Sequence, residues 1–173
     1  MILSLDLSTS RVGISIIKYS TELVYCQVIK LNSKDLLEDR CIKLEEYITN
    51  NILKYNIKEV YIEEPFMMFS GGKTTAHTMA KLQRFNGMCS YMLRRLLGIN
   101  PALIAANKAR GLVGLKIKRG ENTKLKVIEW VANKYPKDFI VEYTRHGNPK
   151  PGTDDKADSV IVGLAGLKLK EEE

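Results

Sequence analysis

The chain has 173 residues, of which 45% are hydrophobic and 27% are charged; these values exclude a disordered or fibrous protein and fit one folded domain without disulfides. No apolar run is long enough to span a membrane. The net charge of +7 is uneven, because the segment 70–126 holds twelve basic residues and one acid, Glu121. This asymmetry indicates either a polyanionic partner or a solvated basic surface.

The first half of the chain predicts three strands, a helix and a fourth strand. "MILSLDLS" is an apolar strand without the basic segment of a signal peptide, and "GISIIKY" and "ELVYCQVIKL" continue the sheet. Residues 32–56 open with capping residues and repeat apolar side chains at helical spacing. "KEVYIEEPF" then predicts a short strand that stops at Pro65, which lacks the N–H needed for strand pairing.

The second half predicts mainly helices. A long helix is expected over 75–97, followed by a strand at "PALIAAN", a short helical turn and a further helix within 119–135. "KDFIVEY" predicts one more strand, 144–152 a loop, and 153–170 the last helix, with Thr153 as its N-cap. This order predicts an α/β sandwich with a mixed sheet, formed by one domain over residues 1–170 with a frayed tail at 171–173.

The three cysteines are odd in number and widely spaced. Cys26, Cys41 and Cys89 form no CxxC motif and do not pair with the two histidines. They are therefore expected to be buried thiols in a reducing, intracellular compartment, with no zinc site and no disulfide framework.

Acidic residues stand where the predicted strands end. Asp6 lies inside an apolar strand, where an ionised side chain is costly unless it is paired or binds a metal. Glu63 and Glu64 end the fourth strand, and one of them should share the sheet face of Asp6 because strand side chains alternate. Each of these acids has an ordinary explanation as a solvated strand end or turn residue.

Three more acids begin the last helix. Asp154, Asp155 and Asp158 fit the helix dipole, but helical geometry places Asp158 beside the buried stripe, with Asp155 one turn earlier. Clustered carboxylates need a counter-charge, and hard divalent ions such as Mg²⁺ prefer carboxylate oxygens. Two such ions about 4 Å apart can hold a phosphodiester for attack by water. An acidic centre beside a basic surface is typical of a metal-dependent nuclease.

Three motifs together resemble the RuvC-type Holliday junction resolvases of the ribonuclease H-like superfamily. "ILSLDLSTSRVGISII" is similar to the first hairpin of that family, "VYIEEPFMM" to its Ile-Glu-x-x-Phe strand end, and "DDKADSVIVGLA" to its Asp-x-x-Asp helix start. The resemblance runs from Ile2 to about Gly166, and the lysine-rich sequence is similar to the virus- or phage-encoded branch. It implies a three-layer sandwich with a mixed, mainly five-stranded sheet flanked by helices.

The resemblance also implies roles for individual residues. Asp6, Glu63, Asp155 and Asp158 would be catalytic ligands of two Mg²⁺ ions, for which Mn²⁺ can substitute. Phe66 matches an aromatic that contacts bases at the junction, although a core aromatic is the simpler interpretation without the family. The expected DNA contacts along the basic segment are Lys73, Arg110, Lys116, Lys118, Arg119 and Lys124.

His146 departs from the family pattern, because it lies in a loop that is longer than the bacterial one. It precedes the helix aspartates much as a catalytic histidine does in ribonuclease H, so it could shuttle a proton near neutral pH. A loop histidine with no role is the alternative.

These features predict a Mg²⁺-dependent endonuclease that resolves four-way DNA junctions by paired, symmetric nicks during recombination and repair. It would act as a homodimer through the helix at 75–97, in the cytoplasm or at the nucleoid, or in the host cytoplasm if viral. One alternative is a related nuclease acting on RNA–DNA hybrids, structured RNA or other branched DNA. Two others are an actin-like or sugar-kinase-type ATPase and a non-catalytic nucleic-acid-binding module.

Overall fold

A computed structural model describes residues 1–65 and 76–171. This part of the chain forms five strands and five helices, in the order β1 (Ile2–Leu7), β2 (Arg11–Ile17), β3 (Leu23–Lys30), α1 (Leu37–Asn51), β4 (Glu59–Glu63), α2 (Ala76–Leu97), β5 (Ala102–Ile104), α3 (Ala106–Leu112), α4 (Thr123–Lys134) and α5 (Thr153–Glu171). None of the described helices combines the length and the apolar character that crossing a bilayer requires.

The strands form one mixed sheet in the order β3-β2-β1-β4-β5. β1 pairs antiparallel with β2 and parallel with β4, β2 pairs antiparallel with β3, and β4 pairs parallel with β5. The predicted five-stranded mixed sheet is thus confirmed. Because β1 and β4 are parallel neighbours, their carboxyl ends lie at the same edge of the sheet.

Two apolar clusters, one on each face of the sheet, make a three-layer sandwich. Leu3 and Leu5 of β1 pack with α1 and α2 in one cluster. Ile2 and Ile17 pack with α3, α4 and α5 in the other. The alternation of side chains along each strand explains how one strand supplies both clusters.

Helix α5 lies directly against the sheet, and glycines allow its close approach. A Cβ atom at Gly163 would lie 2.4 Å from Ser4 Oγ, and one at Gly13 would lie 1.9 Å from the main-chain oxygen of Asp155. A larger residue at either position would push the helix away. The beginning of α5 is therefore held next to the end of β1.

Two predictions about local structure are wrong. "KDFIVEY" forms no strand: Phe139 is buried against the α5 side of the sheet, and the segment contributes only an isolated bridge between Tyr143 and Pro149. Thr153 is the first helical residue, and its hydroxyl donates to the Lys150 carbonyl instead of capping the helix. Helix α5 extends to Glu171, which pairs with Lys168, and the other two residues of the expected tail, 172 and 173, lie outside the described residues.

Candidate metal centre

Two strand ends bring Asp6 and Glu63 together. Asp6 lies opposite Gly13 in the β1–β2 pair, and the Gly13 Cβ position points at α5. Asp6 therefore faces the same helix. Glu63 ends β4 and shares the face of Tyr61, whose ring lies beside Gly166 of α5. Glu64, the other strand-end acid, is exposed.

Asp158 completes a group of three carboxylates. One oxygen atom from each of Asp6, Glu63 and Asp158 lies within 4.8 Å of the others, and all three side chains are half-buried. Within residues 1–65 and 76–171, this is the only group of three or more acidic, histidine or cysteine side chains arranged in this way. The side chains come from β1, β4 and α5, so only the folded chain assembles them.

Ionisation of all three carboxyl groups at once is unfavourable in this arrangement. Burial, followed by the charges of Glu63 and Asp158, raises the pKa of Asp6 well above its usual range. Burial and the charge of Asp158 raise the pKa of Glu63 to about 7. Burial raises the pKa of Asp158 to about 6, although the charge of Arg110 opposes the increase. Three crowded carboxylates thus lack enough positive charge of their own.

A hard divalent cation would supply the positive charge that the three carboxylates lack. Converging carboxylate oxygens are the donors that Mg²⁺ and Mn²⁺ prefer, and a bound cation would stabilise all three ionised groups. Arg110 is the basic residue whose charge acts on both Glu63 and Asp158. Its Nη2 donates to Asn107 Oδ1 at 2.6 Å, so α3 partly holds the guanidinium in place.

Asp155, the fourth expected ligand, has a different contact. Its Oδ2 accepts a hydrogen bond from Arg11 Nε at 2.8 Å, and the side chain is buried. The charge of Asp155 still raises the pKa of Asp6 and of Glu63. Asp155 is therefore next to the three carboxylates, but its own oxygen atoms do not belong to the converging group.

Asp154 and Lys124 form an ion pair at the margin of the site, with 2.5 Å between Lys124 Nζ and Asp154 Oδ2. Burial alone would raise the pKa of Asp154, but the hydrogen bond and charge of Lys124 lower it. Lys124, which the sequence assigned to DNA contact, is thus tied to the first turn of α5.

None of the remaining expected site residues that the structure describes belongs to the group of three carboxylates. His146 is exposed in the loop before α5, where Arg145 Nε donates to its Nε2 at 3.0 Å. Lys116, Lys118 and Arg119 are exposed between α3 and α4. Phe66 and Lys73 lie outside the described residues.

Arg11 is a site residue that sequence reasoning missed. It begins β2, five residues after Asp6, and nothing in the turn "STSRVG" distinguishes its side chain from any surface arginine. The available signal was its position two residues before Gly13, on the same face of the strand. Recognising its partner required knowing that α5 crosses β2.

Comparison with solved structures shows the fold that this chain shares. Thermus thermophilus RuvC, solved in complex with a Holliday junction substrate, aligns with a TM-score of 0.71 over 99% of this chain and 94% of its own, at 12% identity. The yeast mitochondrial Holliday junction resolvase Ydc2 gives 0.57 over 99% and 79%, at 14% identity. Fowlpox virus resolvase, solved with substrate Holliday junction DNA, gives 0.52 over 98% and 97%, at 15% identity.

These alignments confirm the predicted three-layer α/β sandwich, since nearly the whole chain superposes on each of these proteins. No protein-family model matches the sequence, and no curated protein matches it either. The similarity to these resolvases is therefore found in the three-dimensional structure and not in the amino-acid sequence.

Proposed function

We propose that this protein is a divalent-metal-dependent endonuclease that resolves four-way DNA junctions. The observation that carries the proposal is the convergence of Asp6, Glu63 and Asp158 at one edge of the sheet. Two of the proteins that share the fold were solved with Holliday junction DNA. The twelve basic residues of segment 70–126 supply the positive charge that a phosphate backbone requires.

The residues have separate tasks in this proposal. Asp6, Glu63 and Asp158 would hold Mg²⁺, with Asp155 as a further ligand if it leaves Arg11. When bound, the ion would polarise the scissile phosphate and lower the pKa of the attacking water. Arg110 balances the charge of Glu63 and Asp158, and α5 positions Asp158 by its close packing on the sheet. Partial burial limits the water that reaches the carboxylates.

A four-way junction needs two symmetric nicks, which a two-fold dimer can provide because it presents two equivalent sites. We therefore infer that the active form is a homodimer. It would act in the cytoplasm or at the nucleoid, and the three free cysteines are compatible with such a reducing compartment.

The test is a cleavage panel with a synthetic four-way junction, a duplex of the same sequence and an RNA–DNA hybrid, each with Mg²⁺, Mn²⁺ or EDTA. The wild type should cut the junction in paired, symmetric positions only when a divalent ion is present. Asp6→Asn should retain junction binding and lose cleavage by at least about 1,000-fold, because one ligand of the cation is gone.

Asp138→Asn is the matched control, since Asp138 is exposed and is not one of the three grouped carboxylates. It should cleave like the wild type. Full junction cleavage by Asp6→Asn with Mg²⁺ would refute the assignment of the site. Preferential cleavage of the hybrid would instead identify the related nuclease that acts on RNA–DNA duplexes.

A further inference from the structure

A basic cleft lies beside the carboxylate group, at the corner of the sheet where β2 begins and β3 ends. It has a volume of about 550 Å³ and is lined by Ser10, Arg11, Lys30, Leu31, Asn32, Ser33 and Lys43. Three of these side chains are cationic and none is acidic. The cleft therefore has the charge and the hydroxyl and amide donors that suit a phosphate group.

The strand register places two cations side by side. Arg11 and Lys30 are directly opposite each other in the antiparallel β2–β3 pair. Like charges at such positions repel and weaken the pairing. Asp155 neutralises Arg11 through its Nε, but within the described part of the chain Lys30 and Lys43 form no ion pair. An anion in the cleft would remove this repulsion.

A fourth positive charge is buried behind the cleft. Arg40 is only 2% exposed, and its guanidinium donates to the main-chain carbonyls of Thr9, Ser33 and Asp35 over 2.6–3.1 Å. Among residues 1–65 and 76–171 no carboxylate pairs with it. Its charge therefore adds to the potential of the cleft, while its hydrogen bonds join the two loops that form the walls.

Arg11 connects this cleft to the carboxylate group. Its Nε is bound to Asp155, and its two terminal NH₂ groups form no hydrogen bond with the described residues. A guanidinium can donate in two directions because its donors are arranged as a fork. One side of Arg11 thus faces the acidic edge of the sheet, and the other remains available for a phosphate.

We propose that this cleft is a second phosphate-binding subsite, which holds a backbone phosphate of the nucleic acid beside the one that is cut. Arg11, Lys30 and Lys43 would contact the phosphate, and Arg40 would position the loops. The inference rests on the proposed function, since it assumes a nucleic-acid substrate at the carboxylate group. It adds a binding surface from residues 10–43, outside the basic segment 70–126.

The experiment measures binding of a fluorescent synthetic four-way junction in EDTA, where no cleavage occurs, across a series of salt concentrations. Lys30→Gln/Lys43→Gln should weaken binding at about 0.1 M salt by about tenfold or more, and should reduce the slope of log K against log salt by about 2. With Mg²⁺, the same variant should raise KM and leave kcat within about twofold, because the lysines would contact a neighbouring phosphate and not the reacting atoms.

Lys54→Gln/Lys58→Gln is the matched control. It removes the same charge from exposed residues near the amino end of β4, at the edge of the sheet opposite Glu63. The control should change the affinity less than about twofold. The melting temperature of Lys30→Gln/Lys43→Gln should be no lower than that of the wild type, since one repulsive cross-strand pair is lost.

The outcomes separate this inference from the proposed function. If the wild type cleaves junctions and the two double variants bind equally well, the subsite is refuted and the function stands. If the wild type binds duplex and junction alike without cleaving either, while only Lys30→Gln/Lys43→Gln weakens binding, the function is refuted and the subsite is supported.

Discussion

At the scale of single residues, the site depends on carboxylates that the fold makes difficult to ionise. Asp6, Glu63 and Asp158 are crowded and half-buried, and Arg110 balances only part of their charge. A structural ion-pair network would instead provide each acid with a basic partner, as Lys124 does for Asp154. The missing counter-charge is the feature that distinguishes a metal site from a stabilising contact.

Glu63 should make the metal-free protein less stable as the pH rises. Its pKa is raised from 4.5 to about 7, so the folded chain binds this proton more tightly than the unfolded chain. The resulting stability is fully present below about pH 4.5 and is lost as the pH rises through 7. Between pH 5 and 8, the free energy of unfolding of Glu63→Gln should therefore decrease by about 2 to 3 kcal/mol less than that of the wild type.

The measurement is the melting temperature in EDTA over that pH range. Glu64→Gln is the control, because Glu64 is the exposed neighbour of Glu63, and it should follow the wild type. At pH 8, Mg²⁺ should stabilise the wild type and the control more than Glu63→Gln. An identical pH dependence in all three proteins would contradict the raised pKa.

Lys124 should contribute to DNA affinity with little effect on stability. Its ion pair with Asp154 is largely exposed on the lysine side, and such surface pairs contribute about 0–1 kcal/mol. Lys124→Ala should therefore weaken junction binding about three- to tenfold and reduce the salt slope by about 1. Fluorescence anisotropy at several salt concentrations measures both.

Lys126→Ala is the matched control for this variant. Lys126 lies on the same helix but pairs with Glu121 and Glu129, away from the acids of α5. Its loss should alter the affinity less than about twofold. If both variants weakened binding to the same degree, Lys124 would be part of a general charge effect and not a specific contact.

At the scale of secondary structure, helix α5 contacts β4 along its whole length, and these contacts fix the position of Asp158 in the site. Asp158 meets Glu63 at the carboxyl end of β4, Gly166 lies against Tyr61, and Lys170 pairs with Glu59 at the amino end. The helix therefore runs antiparallel to β4, and each contact constrains its register. A displacement of α5 at its centre would separate Asp158 from the two strand-end acids.

Gly163→Ala should destabilise the protein although alanine favours helices. The added Cβ would lie 2.4 Å from Ser4 Oγ and 2.8 Å from Ile17 Cδ1, and such overpacking costs about 1–3 kcal/mol. Cleavage should fall as well, because α5 carries Asp158. Chemical denaturation measures the first effect and junction cleavage the second.

Gly87→Ala is the opposite case and serves as the control. Gly87 lies within α2, and a Cβ atom there would meet nothing within 4 Å. Only the helix propensity changes, so we expect stabilisation by about 0.5–1 kcal/mol. Stabilisation at both positions would show that propensity, and not packing against the sheet, governs these glycines.

At the scale of the whole molecule, a surface on α1 and α2, away from the carboxylate group, has the apolar character that a dimer interface needs. Tyr91 of α2 is 71% exposed and Ile42 of α1 is 53% exposed, and both line one shallow depression between the two helices. Exposed large apolar side chains on adjacent helices favour association. This surface is the one we assign to the proposed homodimer.

Tyr91→Glu should convert the proposed dimer into a monomer, because a charge would be buried without a partner at the interface. Light scattering during size-exclusion chromatography measures the mass. Tyr143→Glu, which alters a 60% exposed tyrosine in the loop before α5, should remain dimeric. A wild-type protein that is monomeric at micromolar concentration would remove the basis for paired nicking.

Apart from the segment 137–143, the sequence alone determined the order of the strands and helices, because hydrophobic periodicity and the residues Gly and Pro are local signals. It also drew attention to Asp6 and to one of Glu63 and Glu64, since acids at the ends of apolar strands are conspicuous. Asp155 and Asp158 stood out at the start of the last helix, and the family resemblance selected Glu63. Sequence reasoning failed at "KDFIVEY", where an apolar run packs on the core without a neighbouring strand to pair with. Periodicity reports burial, but it does not report hydrogen-bond partners.

Only the tertiary structure decided which charges meet. Arg11 and Asp155 are separated by 144 positions and form an ion pair because α5 crosses β2 at Gly13. Arg11 and Lys30 become neighbours through strand register, and Arg40 is enclosed by two loops. Coulombic interactions depend on distance in space, so a residue's place in the chain cannot distinguish a metal ligand from an ion-pair partner.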